Sequence, residues 1–194
     1  MGNLILASGS PYRQELLKRI ASKFQVIVPQ VDEDAVKQSG LSPVDVATCL
    51  ARMKAAAVAA DHPDAVVIGS DQLVDLNGRI LGKPGTAERA CQQLQDMSGQ
   101  SHRLLTAVCV MGPGPGQDRC FLQETVLWMR PLDHEEISAY VSRDQPLDCA
   151  GSYRIEAAGI SLFEKIDTGD FTAIMGLPLI QLAAELRALG VRLL

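Results

Sequence analysis

Long apolar runs are missing from this sequence of 194 residues. The longest apolar segments, among them Ala55–Ala60, are far shorter than the roughly 18 residues that a membrane-spanning helix needs. The first residues also lack the basic segment and the apolar core of a signal peptide. We therefore expect a cytoplasmic protein that does not enter a membrane.

Paired cysteines are missing as well. Five cysteines are scattered along the chain, at positions 49, 91, 109, 120 and 149, and none forms a Cys-x-x-Cys motif. This spacing excludes the common zinc and dithiol motifs, so we expect reduced thiols that serve as small apolar side chains. The three histidines fit neither a Ser-His-Asp nor a Cys-His arrangement, and we expect them to be structural.

An excess of basic residues is the third absence. Lysine and arginine total 18 against 23 acidic residues, which gives a net charge of −5. Binding to duplex nucleic acid requires a basic face, so we expect no nucleic-acid partner. A few well-placed cations can still hold a small anionic substrate on an acidic protein.

What is present is an apolar fraction of 47%, enough for a sizeable core, and an alternation of short apolar runs with helical patterns. Ser10-Pro11 and Ser42-Pro43 are typical helix starts, and Asn77-Gly78 is typical of a hairpin turn. The predicted strands are Leu4–Ala7, Phe24–Val28, Val66–Ile68, the hairpin pair Gln72–Asp75 and Arg79–Leu81, 102–111 and 120–130. The other predicted helices are 86–97, 134–142 and 178–189. This order predicts an α/β protein with a mixed central sheet flanked by helices.

The segment from Ser8 to Arg13 leaves a buried strand and enters a helix. Backbone amides and the positive end of the helix dipole meet at such a point and favour a phosphate. Arg13 can contact the same anion through two hydrogen bonds. The alternative is that Ser10 only caps the helix and Arg13 is a surface cation.

Two acidic segments carry further candidate residues. Asp32-Glu33-Asp34 is predicted as a polar loop, which either holds a hard divalent cation or is merely solvated. Asp71 follows the predicted strand Val66–Ile68, and a carboxylate where a buried strand ends often faces a ligand. It is a candidate general base, or alternatively it caps a turn before the hairpin.

Two lysines complete the candidates: Lys54 on the Ala-rich helix and Lys83 in Gly82-Lys83-Pro84. Taken alone, each is better explained as a surface lysine. The Gly82-Lys83 pair is not a Walker loop, because the upstream glycine and the following Ser or Thr are absent.

Together these motifs resemble the Maf nucleotide pyrophosphatases, in the same order and over nearly the whole chain. Single pieces are weak signals, but the ordered set is specific. The matching segments are 4–13, Val31-Asp32-Glu33, Lys54-Ala55, 68–72, Gly82-Lys83-Pro84, Gly151-Ser152-Tyr153 and 176–179.

The resemblance implies an ITPase-like fold: one domain, residues 1–194, of two lobes around a cleft. It also implies a homodimer, a divalent metal (Mg²⁺, Mn²⁺ or Co²⁺) and cleavage of a nucleoside triphosphate between its α and β phosphates. By position, Asp71 matches the family's proton acceptor. The residues that match its substrate and metal cluster are Ser8, Arg13, Glu33, Lys54 and Lys83, and Asp71 is a second candidate metal ligand.

Within the family, the chain is similar to the branch that acts on 7-methyl-GTP. The specificity positions of that branch fall on Tyr12, Gln72 and Glu156. Many family members have two arginines after Ser-Pro, where this chain has Tyr12-Arg13, and the 7-methyl-GTP branch often has Trp in place of Tyr12. N7-methylated guanine is cationic, so Tyr12 can stack on it, and Glu156 can accept hydrogen bonds from the base.

Two other functions stay open at this stage. The first is a pyrophosphatase of the sibling branch, which cleaves dTTP and UTP. The second is a nucleotide-binding regulator of cell division, because the family has been linked with inhibition of septum formation.

Overall fold

The computed structural model describes residues 3–114 and 116–193. The strands in this part of the chain are β1 Asn3–Ala7, β2 Gln25–Val26, β3 Ala65–Leu76, β4 Arg79–Leu81, β5 Ser101–Met111, β6 Arg119–Met129 and β7 Phe163–Thr168. The α-helices are α1 Pro11–Lys18, α2 Glu33–Lys37, α3 Pro43–Ala59, α4 Ala87–Met97, α5 His134–Asp144 and α6 Leu179–Ala188. Three short 3-10 helices occupy Ala150–Ser152, Ala158–Leu162 and Phe171–Met175.

The strands form one mixed sheet in the order β2-β1-β3-β5-β6-β7, with β4 paired to β3. Strand β1 runs parallel to β2 and β3, and its register places Leu4 opposite Val66 and Leu6 opposite Ile68. Strands β4 and β7 pair antiparallel with β3 and β6. The predicted α/β class with a mixed sheet is confirmed.

Two compact units divide the described residues. The first runs to Asp71 and continues with Thr106–Gln123 and from Asp170 onward; the second comprises Gln72–Leu105 and Glu124–Gly169. The main core of the first unit joins β1, β3 and β5 to α1 and α6, through fully buried Leu6, Leu17, Ile68, Val108 and Leu182. The predicted cleft between two lobes stays a prediction.

An aromatic cluster lies in the second unit. The ring of His102 lies 5.6 Å from that of Tyr153 and 5.8 Å from that of Phe163, and Tyr153 and Phe163 meet edge to face at 4.9 Å. The Nε2 atom of His102 is 3.1 Å from the Tyr153 hydroxyl. This packing agrees with the structural role expected for His102.

Several local predictions are confirmed. Ser10 caps α1 with Pro11 at the first helical position, and Ser42 caps α3 in the same way. Asn77 and Gly78 both have positive φ, as a tight hairpin turn requires. Gly190 ends α6 with a φ of +76°.

Three predicted elements differ in the structure. The strand expected over Phe24–Val28 is only Gln25–Val26. Asp32 is not part of a solvated loop but the N-cap of α2, where its side chain accepts a hydrogen bond from the Ala35 amide. The predicted strands Val66–Ile68 and Gln72–Asp75 are parts of one strand, β3, whose second half pairs with β4, so Asp71 lies within a strand and not after it.

The expectation of five reduced thiols is wrong for two of them. Cys109 on β5 and Cys120 on β6 form a disulfide, with Cα atoms 4.1 Å apart. Neighbouring strands bring together cysteines that are 11 positions apart in the sequence. Cys49, Cys91 and Cys149 are free thiols.

Within residues 3–114 and 116–193, no helix has both the length and the apolar composition that a bilayer crossing requires.

Candidate active site

The loop from Ser8 to Ser10 connects buried β1 to the N-terminus of α1. Ser10 caps the helix by accepting a hydrogen bond from the Arg13 amide. The Ser8 side chain is almost completely buried, and its Oγ accepts a hydrogen bond from the Ser10 amide at 3.2 Å. The cap therefore fixes the first turn of α1, which carries Arg13.

Arg13 is anchored by neutral acceptors. Its Nε donates to the Gly176 carbonyl at 3.2 Å, and its Nη1 donates to the Ser70 carbonyl at 2.9 Å and to Ser8 Oγ at 3.3 Å. Among the described residues, no carboxylate lies within ion-pair distance of Arg13. Its positive charge is therefore oriented but not neutralised by a direct partner.

Burial lowers the pKa of Arg13, and the nearby carboxylates of Asp71 and Glu33 offset part of this effect. An arginine remains charged at neutral pH even after such a shift. The result is a half-buried cation in an environment that favours an anionic ligand.

The absence of a side chain at Gly69 allows α3 to pack closely on β3. A Cβ atom at this position would lie 2.3 Å from the Ala51 carbonyl oxygen and 2.5 Å from the Ala55 amide nitrogen. Only glycine allows the helix backbone to pack this closely on the strand. This contact brings Lys54 of α3 next to Asp71, two residues beyond Gly69 on β3.

Lys54 lies between two carboxylates. Its Nζ is 2.7 Å from Asp71 Oδ1 and 2.7 Å from Glu33 Oε1. The side chains of Lys54 and Asp71 are only 10% and 7% exposed, whereas Glu33 is 39% exposed. A second ammonium, that of Lys37, contacts Glu33 Oε2 at 3.0 Å.

The two ammonium groups determine the charge state of Glu33. Partial burial raises the pKa of Glu33, but the hydrogen bonds from Lys54 and Lys37 outweigh it and bring the pKa to about 2. Glu33 is therefore a carboxylate at any physiological pH.

The other oxygen of Asp71, Oδ2, accepts no hydrogen bond from the described residues, so it is available to a ligand.

Residues 3–114 and 116–193 contain no group of three or more His, Cys, Asp or Glu side chains that could hold a metal. Of the predicted site residues, Glu33 and Asp71 are the carboxylates that could contribute to a metal site. One ammonium already contacts an oxygen of each, so the two are close enough to share a cation. Mg²⁺ is commonly held by one or two carboxylates together with substrate phosphates and water, so the pair fits such an ion.

The remaining predicted site residues are distributed between the units. Tyr12 is half-buried in the first turn of α1, in the first unit. In the second unit, Gln72 is half-buried on β3, Lys83 is exposed after β4, and Glu156 is exposed in a turn. Lys83 and Glu156 make no ion pair with any described residue, and their roles stay predictions.

Sequence reasoning gave no role to three residues of this network. Ser70 and Gly176 accept hydrogen bonds from Arg13 through their carbonyls, and Lys37 contacts Glu33. Ser70 and Gly176 belong to matching motifs, but a backbone acceptor leaves no chemical signal in its side chain. The spacing of Glu33 and Lys37 on one helix is a detectable ion-pair signal.

Comparison with known families identifies the family of this chain. The model of the Maf family, described as "Maf-like protein", matches residues 3–189. A 7-methyl-GTP pyrophosphatase of Xanthomonas axonopodis pv. citri is 50% identical over 98% of this chain and 98% of its own length. A 7-methyl-GTP pyrophosphatase of Bdellovibrio bacteriovorus is 49% identical over 92% of this chain and 93% of its own length.

Solved structures support the fold. A HAM1 protein from Coxiella burnetii is similar with a TM-score of 0.50, over 97% of this chain and all of that one. Its sequence is only 14% identical, so the likeness concerns the fold and not the activity.

Proposed function

Because the chain belongs to the Maf-like protein family, we propose that it is a nucleoside triphosphate pyrophosphatase that acts on 7-methyl-GTP. The observation that carries the proposal is the cluster in the first unit. Lys54 pairs with Asp71, a buried carboxylate with one open oxygen, and Arg13 binds the carbonyl of the adjacent Ser70. Such a cluster can bind polyphosphate and accept a proton from water.

The substrate contributes about four negative charges, and we assign their binding to Ser8, Arg13, Lys54 and Lys83. Ser8 and Arg13 are held rigidly at the N-terminus of α1, where backbone amides also favour a phosphate. A rigid donor set stabilises the charge that builds up on the phosphates during reaction without first reorganising.

In the proposed reaction, the oxygen of a water molecule attacks the α phosphorus. Asp71 takes the proton from this water through Oδ2, while Lys54 holds Oδ1 in place. The bond between the α phosphorus and the oxygen bridging to the β phosphorus breaks. That oxygen leaves with the bonding electrons as part of pyrophosphate, and the nucleoside monophosphate remains.

Glu33 and Asp71 would hold a divalent ion, Mg²⁺, Mn²⁺ or Co²⁺, together with the phosphates. When bound, such an ion offsets phosphate charge and makes the phosphoryl group a better electrophile. Lys54 contacts one oxygen of each carboxylate, so its ammonium holds the two carboxylates in place and limits their mutual repulsion.

Three residues and the names of the relatives support the proposed base specificity. Tyr12 lies one residue before Arg13, and stacking of its ring on a cationic base is worth roughly 0.5–2 kcal/mol. Glu156 is an exposed carboxylate that can accept hydrogen bonds from guanine N1–H and the exocyclic amine, and Gln72 can add one contact.

The test is a panel of nucleotides with purified protein and Mg²⁺, Mn²⁺ or Co²⁺. We expect 7-methyl-GTP to give the highest kcat/KM, with monophosphate and pyrophosphate as products in equal amounts. Faster cleavage of dTTP or UTP would assign the chain to the sibling branch. Release of single phosphates would contradict cleavage between the α and β phosphates.

Two further expectations concern the location and the oligomeric state of the protein. We propose that the protein acts in the cytoplasm and as a homodimer. Light scattering coupled to size-exclusion chromatography measures the second directly, and a mass near the 20.9 kDa of one chain would contradict it.

A further inference from the structure

The Gly176 carbonyl is shared by two donors. Arg13 Nε donates to it at 3.2 Å, and the buried Ser70 hydroxyl donates to it at 2.9 Å. The Ser70 carbonyl in turn accepts from Arg13 Nη1 at 2.9 Å. Ser70 and Gly176 thus hold two sides of the guanidinium and leave Nη2 without a hydrogen bond to the described residues.

The backbone of Gly176 is adapted to this contact. Gly176 ends the 3-10 helix Phe171–Met175 with a φ of +110°, a conformation that residues with a side chain rarely adopt. A Cβ atom here would lie 3.1 Å from Arg13 Nε and 3.3 Å from Arg13 Cγ. A side chain at 176 would therefore press on Arg13, whose side chain would have to shift by a few tenths of an ångström.

The segment that carries Gly176 is tied at both of its ends. Asp170 accepts hydrogen bonds from the Thr172 amide and hydroxyl through Oδ1, at 2.9 and 2.6 Å, and from the Ile180 amide through Oδ2, at 2.7 Å. Thr172 Oγ1 also accepts from the Leu179 amide at 2.9 Å. These bonds close the loop 170–180 on itself and fix where the Gly176 carbonyl points.

We propose that Gly176 is a positioning residue for the reaction, and that the closed loop 170–180 sets the orientation of the Arg13 guanidinium toward the phosphates. The inference rests on the proposed function, because it assumes that Arg13 binds phosphate. The observations behind it do not depend on that assumption: the Gly176 carbonyl accepts a hydrogen bond from the Arg13 guanidinium, and a Cβ atom at 176 would press on the same side chain.

The first test is Gly176→Ala, with Gly190→Ala as the matched control. Gly190 also has a positive φ, +76°, but a Cβ there meets nothing within 4 Å. We expect Gly176→Ala to lower kcat/KM about 10- to 100-fold, as misplacement of a binding group does, while Gly190→Ala keeps the activity within twofold. Equal activity losses in the two variants would overturn the proposal.

A double-mutant cycle separates positioning from general damage. The affinity for inorganic triphosphate is measured by calorimetry for the wild type, Gly176→Ala, Arg13→Ala and the double variant. If Gly176 acts through Arg13, Gly176→Ala weakens binding about tenfold in the wild type and less than twofold once Arg13 is absent. The same factor in both backgrounds would show a merely structural role. Unchanged binding by Arg13→Ala would instead contradict the assignment of Arg13 in the proposed function.

A second route leaves Gly176 intact. Thr172→Val removes the hydroxyl that links Asp170 to the Leu179 amide, whereas Thr172→Ser retains a hydroxyl at this position. We expect the valine variant to bind triphosphate about threefold to tenfold more weakly and the serine variant to bind it as the wild type does. Circular dichroism should show that both variants are folded. Wild-type affinity in the valine variant would contradict the role of the loop.

Discussion

Strand β3 carries two buried aspartates, each in a charged cluster, one in each unit. In the first unit, Asp71 lies beside Lys54, with Glu33 on the other side of the ammonium. In the second unit, Asp75 accepts from Nε and Nη2 of Arg103, whose Nη1 contacts Glu124 at 3.1 Å. Both clusters thus place one cation between two carboxylates.

The clusters differ in what remains unpaired. Both oxygens of Asp75 are satisfied, Oδ2 by Arg103 and Oδ1 by the Gly78 amide at 2.7 Å. For Asp71, the described residues provide a partner to Oδ1 only. Asp75 therefore closes the hairpin as a structural group, whereas Asp71 keeps an oxygen open to a ligand. Burial and ion pairing alone therefore do not distinguish a carboxylate that can bind a ligand from a structural one.

Exchange of each aspartate for asparagine should separate the two roles most strongly. Asp71→Asn should lower kcat about 10²- to 10⁴-fold, because the general base is lost. Asp75→Asn should keep kcat within a few-fold and lower the free energy of unfolding by about 1–3 kcal/mol, because a charged hydrogen bond is lost. Steady-state kinetics and urea unfolding of both variants measure this, and a full loss of activity in Asp75→Asn would break the distinction.

Substitution of the two cations, Lys54 and Arg103, should also affect activity more in the first unit than in the second, but the difference should be smaller than for the aspartates. Lys54→Met should reduce kcat/KM about 10²- to 10³-fold, since a donor to the phosphates and to Asp71 disappears. Arg103→Met, with 41% of its side chain exposed in the native chain, should change kcat/KM less than threefold. If Lys54→Met retained more than a tenth of the activity, the ammonium would serve only to stabilise the fold.

Mild acid should affect the second unit through His102. Burial lowers the pKa of His102 to about 4, from 6.5 in the unfolded chain, so only the unfolded state gains a proton between these values. Stability should then fall as the pH drops from 6.5 toward 4, by up to about 1.4 kcal/mol per pH unit.

His102→Leu should remove most of this slope, and Tyr153→Phe, which keeps the imidazole, should retain it. Urea unfolding at pH 7, 6, 5 and 4 gives the slopes. A wild-type slope in His102→Leu would assign the pH dependence to another group.

Stronger acid should affect the first unit, through Glu33, by a smaller amount. The pKa of Glu33 is about 2 in the folded chain against 4.5 ordinarily, so its contribution is complete above pH 4.5 and is lost as the pH falls toward 2. Because the side chain is 39% exposed, solvent screening limits the effect to about 1 kcal/mol or less.

Glu33→Gln should therefore be less stable than the wild type at pH 7, and the difference should shrink by pH 3. Glu15→Gln, in an exposed ion pair with Lys18, is the control and should change the stability little at either pH. A difference that stays constant from pH 7 to pH 3 would show that Glu33 does not contribute through its charge.

Local patterns predicted most of the elements because their causes are local. The Ser-Pro caps start α1 and α3, and Asn77-Gly78 forms the hairpin turn, since each depends on the chemistry of a few adjacent residues. The hairpin strands Gln72–Asp75 and Arg79–Leu81 follow from the Asn77-Gly78 turn. That Val66–Ile68 and Gln72–Asp75 form one strand was not predicted, because pairing with β1 and β4 decides the length of β3. The helix at Glu33–Lys37 was missed because a five-residue helix gives almost no periodicity.

The candidate site was predicted in composition but not in arrangement. The ordered motifs named Arg13, Glu33, Lys54 and Asp71, and the structure brings Glu33, Lys54 and Asp71 into direct contact. The carbonyl of Gly176, 163 residues from Arg13, could not be predicted, because a backbone acceptor looks the same at every position of a sequence.

The α/β class, the family and the side chains available for chemistry follow from patterns and residue types along the chain. Which aspartate keeps an open oxygen, which cation pairs with it, and that Cys109 and Cys120 join depend on the folded chain. The physical reason is that a hydrogen bond or an ion pair depends on the positions of atoms far apart in the chain, and strand pairing and helix packing set those positions.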